Sequence, residues 1–329
     1  MSASQTDGSA PDELSVKQAI EWMVRLHSGE ATPADHQACS SWRAARPAHE
    51  QAWSRLQALT TRVQSLPSDL SHATLGDSPA RRKYNRRFAL KTLSIVCGVG
   101  SLAWGSQALL PWRSMLASYA SDIGEQRQVT LADGTAVHLN TQTAFDADYS
   151  DSRRRIRLYR GELLITTAHD PASRYRPFIV ETRFGDIQAL GTEFRVWDQG
   201  TSVLVAVFEG AVEIRRQQAG EAVRLDAGQQ TVFSAGGLLS RVNIVPADTD
   251  GIAWTEGMIV ADRMRLGELV AQLDRYLPGR IRCDDAVADL RISGVFPLNQ
   301  PAKVLAAVAR TLPVKIDMLT SYWISLKPA

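Results

Sequence analysis

Cysteine and histidine are scarce in this chain, with three and six among 329 residues, and none falls in a metal-ligand or redox spacing. There is no C-x-x-C, no H-E-x-x-H, no phosphate-loop glycine pattern and no G-x-S-x-G. Beyond residue 113 only His138 and His169 remain, far apart, and both suit a surface better than a metal. The acidic pair Asp284-Asp285 sits at a turn, where local backbone hydrogen bonds account for it. No basic stripe with interleaved aromatics appears, which disfavours direct nucleic-acid binding. These absences argue against a turnover enzyme and leave no cofactor or metal to expect.

What is present is a long run without charge. Thr92 to Trp112 are 21 consecutive uncharged residues. As a helix the run reaches about 31 Å, enough to cross the hydrocarbon core of a bilayer. Arg81, Arg82, Lys83, Arg86, Arg87 and Lys91 crowd its N-terminal side, whereas Arg113 stands alone before Asp122. The positive-inside bias places the N-terminus in the cytoplasm and everything after about 113 outside, as a single-pass inner-membrane protein. A buried helix of this length usually keeps a polar stripe, and a cleaved signal would lie nearer the N-terminus. Arg86-Arg87 also resembles a twin-arginine export signal, with Phe88 one place early. Gly98 and Gly100, beside Cys97, each weaken a helix by about 1 kcal/mol relative to alanine. That weakness makes Cys97, Gly98 and Gly100 the candidate site for intramembrane proteolysis; glycine is also common in ordinary spans.

On this topology the cysteines fall in three compartments: Cys39 inside, Cys97 in the span and Cys283 outside. The exported part then folds without an internal disulfide and relies on a hydrophobic core. The formal net charge of +2 hides an asymmetry, because residues 1–80 carry nine acids against six bases. The basic cluster beside the span suits anionic lipid headgroups.

Residues 1–66 read as a small all-α domain. Ser15 and Gln18 have capping-box spacing, and Val16, Ala19, Ile20, Met23 and Leu26 form an apolar stripe. Thr32-Pro33 opens a second helix containing Trp42, and Pro47 precedes a third containing Ala52, Trp53 and Leu56. Trp22, Trp42 and Trp53 are either core residues or the walls of a partner groove, since so small a domain cannot bury everything. Residues 67–91 read as linker and basic juxtamembrane segment, and 92–112 as the span.

Across 113–246 the apolar period becomes two. Val129 and Leu131 lead through Asp133-Gly134 to Val137 and Leu139, a hairpin with a tight turn. Ile156 and Leu158, then Arg160-Gly161-Glu162, then Leu163 and Ile165 read as another. Further short strands at Phe178–Val180, Ile187–Leu190, Phe194–Trp197, Val203–Phe208, Val212–Ile214 and Gln230–Phe233 indicate an all-β sandwich or solenoid-like stack. Residues 251–329 follow a β-α-β-β-α-β-β order, a small α+β module.

The β region carries Val129-x-Leu131-x-Asp133-Gly134-Thr135, Arg155-Ile156-x-Leu158-x-x-Gly161-Glu162, Ala189-Leu190-Gly191-Thr192-x-Phe194-x-Val196 and Val205-x-Val207-x-Glu209-Gly210-x-Val212. In that order they resemble the periplasmic domain of FecR-like regulators, single-pass anti-sigma factors of iron-siderophore uptake. Trp22-x-x-Arg25-Leu26, with Trp42 and Trp53, is similar to that family's sigma-binding segment. The C-terminal module, with Leu273-x-Arg275-Tyr276 and Ile292-Ser293-Gly294-x-Phe296, resembles a secretin/TonB-type module. The resemblance implies several partners. An extracytoplasmic-function (ECF) sigma factor would bind in the cytoplasm, and the signalling domain of a TonB-dependent siderophore receptor in the periplasm. Periplasmic and intramembrane proteases would act between them.

The resemblance also implies self-cleavage between Gly191 and Thr192. The Thr192 hydroxyl would attack the Gly191 carbonyl, shift the acyl group from nitrogen to oxygen and leave an ester for water to open. Without the family, Gly-Thr between two strands reads as a bulge. Two other readings of the whole chain stay open: a membrane-anchored periplasmic cell-wall enzyme, and an envelope scaffold.

Overall fold

The computed structural model describes residues 13–27, 31–64, 114, 117–216, 222–235, 243–320 and 323–329. Among them no helix is long and apolar enough to cross a membrane. The charge-free segment 92–112 and its basic flank lie outside the described residues. Residues 117–329 belong to one compact unit, and the N-terminal helices to another.

The helical unit comprises α1 (Glu13–His27), α2 (Pro33–Ala45) and α3 (Pro47–Gln64). Thr32 caps α2: its hydroxyl accepts from the Asp35 amide, and the Asp35 carboxylate accepts from the Thr32 amide at 3.0 Å. Pro33 at the first helical position needs no amide partner there. Ser15 is not the cap of α1 that its spacing suggested. The helix already includes Glu13, so Ser15 lies inside it, where it is buried. Val16, Ala19 and Ala52 form the small core, with Trp42 and Leu56 packed against it.

Among the described residues, the larger unit begins with thirteen strands. They are β1 (Tyr119–Ala120), β2 (Arg127–Thr130), β3 (Ala136–Leu139), β4 (Ala144–Tyr149) and β5 (Arg154–Thr166). Next come β6 (Phe178–Glu181), β7 (Asp186–Ala189), β8 (Glu193–Asp198), β9 (Val203–Glu209) and β10 (Ala211–Arg215). Last are β11 (Ala222–Asp226), β12 (Gln229–Phe233) and β13 (Val245–Pro246). The Asp133-Gly134 hairpin is present, with Val129 opposite Val137.

The second expected hairpin is instead one continuous strand, β5. Its first half, Arg154–Arg160, pairs with β4, and Gly161–Thr166 pairs with β8. At the crossover Gly161 has φ +90°, and a Cβ there would lie 2.3 Å from the Thr143 hydroxyl oxygen. Thr143 Oγ1 accepts from the Glu162 amide at 2.9 Å, so the chain bends through the break and does not reverse. One ladder, β1-β4-β5-β6-β7-β10-β11, thereby passes into a second, β2-β3-β5-β8-β9-β12-β13. Phe145, Ile156, Phe178, Ile187 and Ile214 from the first meet Val137, Leu163, Phe194, Val196 and Val205 from the second in one core. The result is a sandwich joined by a shared strand, and not a solenoid.

The C-terminal module adds β14 (Met258–Arg265), α4 (Leu266–Asp274), β15 (Arg280–Cys283), α5 (Asp285–Ala288), β16 (Arg291–Pro297), α6 (Pro301–Thr311), β17 (Val314–Thr320) and β18 (Trp323–Pro328). β14 pairs with β16, and β15, β18 and β17 form a separate three-stranded sheet. Leu266, Leu269, Val270 and Leu273 of α4 and Val304, Leu305 and Val308 of α6 fill the core between them. Asp284 caps α5 by accepting from the Ala286 amide at 3.0 Å. This is the expected order with one added helical turn.

Candidate functional site

Gly191 and Thr192 lie in the short link between β7, in one ladder, and β8, in the other. Gly191 has φ +83° and is exposed, with open space where a Cβ would stand. Such a φ is costly for any residue with a side chain. Thr192, immediately after it, is buried at 6% exposure. The pairing of β8 with β9 shifts register between Glu193 and Phe194, where Phe208 of β9 is the extra residue, so the bulge lies just past the Gly-Thr link and not in it.

Four contacts fix the threonine. Its amide donates to Thr167 Oγ1 at 2.9 Å, and its carbonyl accepts from the Thr167 amide and hydroxyl, each at 3.1 Å. Its own hydroxyl donates to the Glu209 carbonyl. Gly210, next along, has φ +71°, and a Cβ there would fall 2.0 Å from the Gly191 carbonyl oxygen. Only glycine at 210 lets that carbonyl settle against the neighbouring strand. The Thr192 hydroxyl is thus held by the Glu209 carbonyl, directly after an exposed glycine in the left-handed region, with backbone and hydroxyl groups as the threonine's hydrogen-bond partners.

Sequence reading named Gly191 and Thr192 and missed Thr167 and Gly210. Glu209-Gly210 stood in one of the motifs that carry the resemblance, but its approach to Gly191 follows only from strand pairing. Thr167 carries no local signal, because it reaches Thr192 through the edge of a long-range ladder.

The helical unit sorts its three tryptophans differently. Trp53 is core, 7% exposed, under the Arg43 guanidinium at 5.5 Å. Arg43 is held in turn by Glu50 through bonds of 2.7 and 2.8 Å. Trp42 is half-buried: its indole donates to Gln18 Oε1 at 3.0 Å and its ring stacks on His49 at 4.5 Å. Trp22 is half-buried too, with the Arg25 guanidinium 5.9 Å above it and Arg25 paired to Asp35 at 2.9 Å. Leu26 is partly buried. Of the three rings, Trp53 is the buried one. Ile20, expected in the buried stripe, is 39% exposed, next to Val24 at 40%. One turn apart on α1, these two form an exposed apolar strip, of which periodicity had assigned Ile20 to the core. Arg86, Arg87, Lys91, Cys97, Gly98 and Gly100 lie outside the described residues.

A third feature joins the sandwich to the C-terminal module. Glu162 is fully buried, and its carboxylate receives Arg195 at 2.6 Å, Arg275 at 2.5 Å and Asn140 at 2.9 Å. The Arg275 guanidinium also lies 4.4 Å from the centre of the Trp197 ring. Tyr276 donates to Asn140 Oδ1 at 2.7 Å, and burial pushes its phenol up to about 12. Among the described residues no cluster of histidine, cysteine and carboxylates could hold a metal ion.

Residues 117–213 match the family described as FecR protein, and residues 17–59 match a domain of unknown function, DUF4880. No curated protein matches the chain. Two solved structures of a candidate anti-sigma factor from Parabacteroides distasonis, at 1.65 and 2.50 Å resolution, are similar at 25% identity. Each likeness covers 64% of this chain and 98% of the other, with TM-scores of 0.53 and 0.52. The chain thus carries a FecR region, built as a strand-sharing sandwich, with a matching helical segment before it.

Proposed function

We propose that this chain is a single-pass inner-membrane regulator of an ECF sigma factor. The observation that carries the proposal is the arrangement of its parts. The helical segment matched at 17–59 and the sandwich matched at 117–213 flank an uncharged run long enough to span a bilayer. The six cations before that run orient the helical domain, residues 1–66, toward the cytoplasm. There Trp22, Arg25 and Leu26, with the uncovered Ile20 and Val24, offer the sigma factor a mixed apolar and cationic surface.

On the periplasmic side, the module at 251–329 receives the signalling domain of a TonB-dependent siderophore receptor, acting as a secretin/TonB-type module. The seam around Glu162 passes that event to the sandwich at 113–246. Self-cleavage at Gly191-Thr192 prepares the chain, and proteolysis outside and within the membrane, near Cys97, Gly98 and Gly100, releases the cytoplasmic part. Trp53 acts by holding the helical domain together, and Trp42 by fixing α1 against α2 through Gln18.

Topology tests this directly. A reporter active only in the periplasm should work when fused after Pro246 and stay silent when fused after Leu66. The reverse pattern would remove the proposal.

A further inference from the structure

Self-cleavage at Gly191-Thr192, the reading proposed above, requires more than a nucleophile. As Thr192 Oγ1 bonds to the Gly191 carbonyl carbon, the bond from that carbon to the Thr192 nitrogen must break. Nitrogen leaves as an amine, not as an amide anion, so it has to gain a proton in the step. The nitrogen in question already lies 2.9 Å from the Thr167 hydroxyl oxygen. In the planar peptide the amide donates to that oxygen. Once the carbonyl carbon becomes tetrahedral, the nitrogen recovers its lone pair, and the same hydroxyl, turning its proton from the Thr192 carbonyl that it bonds at 3.1 Å, can give it to that nitrogen.

We propose that Thr167 is a catalytic residue of the cleavage, the proton donor to the departing nitrogen. The balance is complete with water as the only co-reactant. Thr167 gives its hydroxyl proton to nitrogen and is reprotonated by water at the exposed Gly191 side, which takes the proton lost by Thr192 Oγ1. A second water then opens the ester, leaving a Gly191 carboxylate and a Thr192 with free amine and hydroxyl.

The buried ion pair of the sandwich gives Thr167 its position. Ala168, the next residue, donates its amide to Thr135 Oγ1 at 3.2 Å, and its carbonyl accepts from Arg154 at 3.2 Å. Both Thr135 and Arg154 are held by Asp133, each at 2.9 Å. Arg154 is 7% exposed and Asp133 fully buried at the side chain, so the anchor is shielded from solvent. An arginine and an aspartate placed so deep hold both backbone polar groups of the residue that follows Thr167, the aspartate through Thr135.

The test follows the full chain during cell-free translation, timing the appearance of a fragment that begins at Thr192. Thr167→Val, which keeps the shape and loses the hydroxyl, should slow cleavage at least tenfold, and Thr167→Ser should retain the wild-type rate. Hydroxylamine, which captures esters, should speed the wild type and leave Thr167→Val slow, because the block precedes the ester. Should Thr167→Val not fold, as judged by circular dichroism, the serine variant and Thr167→Ala decide by the same comparison. Unchanged cleavage in the valine or alanine variant, or a serine variant as slow as either, would overturn this role and leave self-cleavage standing. A wild-type chain that stays intact would overturn both.

Discussion

Thr192 shows how little separates a structural bulge from a reactive bond. Its contacts would suit a bulge, yet they also hold a hydroxyl next to a carbonyl whose residue has φ +83°. Thr192→Ala should give a single polypeptide on a denaturing gel, while Thr192→Ser or Thr192→Cys, each keeping a nucleophile, should still give two. A wild-type preparation that stays one chain through storage would contradict this. Gly210→Ala probes the other side of the bond, since its new methyl would need the space of the Gly191 carbonyl oxygen, 2.0 Å away. It should lower the stability of the sandwich by about 1–3 kcal/mol, as overpacking does, and change the cleavage rate with it. Chemical denaturation and gel densitometry measure the two effects. Thr192 was singled out by the resemblance, since Gly-Thr between two strands by itself reads as a bulge. Thr167 was not, because nothing in residues 160 to 170 hints at a partner across the ladder.

Elements that carry their own signals were legible, and those defined by partners were not. The Asp133-Gly134 turn, the Thr32-Pro33 cap and the amphipathic α4 and α6 follow from local chemistry. β5 was misread because Gly161 resembles a turn residue, and only the Thr143 side chain filling its Cβ space marks a crossover. In α1, Ile20 has helical spacing with the core residues but is 39% exposed, because periodicity does not say which part of the stripe α2 and α3 cover. Trp53→Ala should cost about 3–5 kcal/mol and unfold the helical domain, seen as lost circular dichroism. Val24→Glu should keep helicity and lower sigma-factor binding; full binding by that variant would move the interface elsewhere.

The loop after β5 offers a pH test. Burial alone would raise the Asp133 carboxyl, but hydrogen bonds from Thr135, Arg154 and Tyr149 outweigh it and hold the group below its usual range. Asp170 is lowered by Arg176, against desolvation. Groups so depressed stabilise the fold above the unfolded value of about 3.9, and that contribution is lost as pH falls through their folded values. The melting temperature of the sandwich should therefore drop steeply below about pH 4, and Asp133→Asn should flatten part of that drop. An identical acid profile in the variant would contradict the assignment.

At the scale of the molecule, the seam around Glu162 decides whether sandwich and module act together. Glu162→Ala would strand Arg195 and Arg275 without their shared anion and should cost about 3–5 kcal/mol. Arg275→Ala removes one partner and leaves Arg195 in place, so its cost should be smaller. Deleting the chain from Gly251 onward should abolish the response to siderophore without preventing insertion, while exposing Trp197 and Leu164 of the sandwich. An unchanged response would place the receptor contact on the sandwich itself.

The central claim, a membrane-held regulator whose helical domain binds a sigma factor, is tested most directly by one capture. Full-length chain carrying a C-terminal tag is crosslinked in living cells, recovered from membranes, and its partners identified by mass spectrometry. The account predicts a sigma factor bound to the wild type and reduced at least tenfold by Trp22→Ala together with Val24→Glu. A chain recovered from membranes with no sigma factor bound would contradict it.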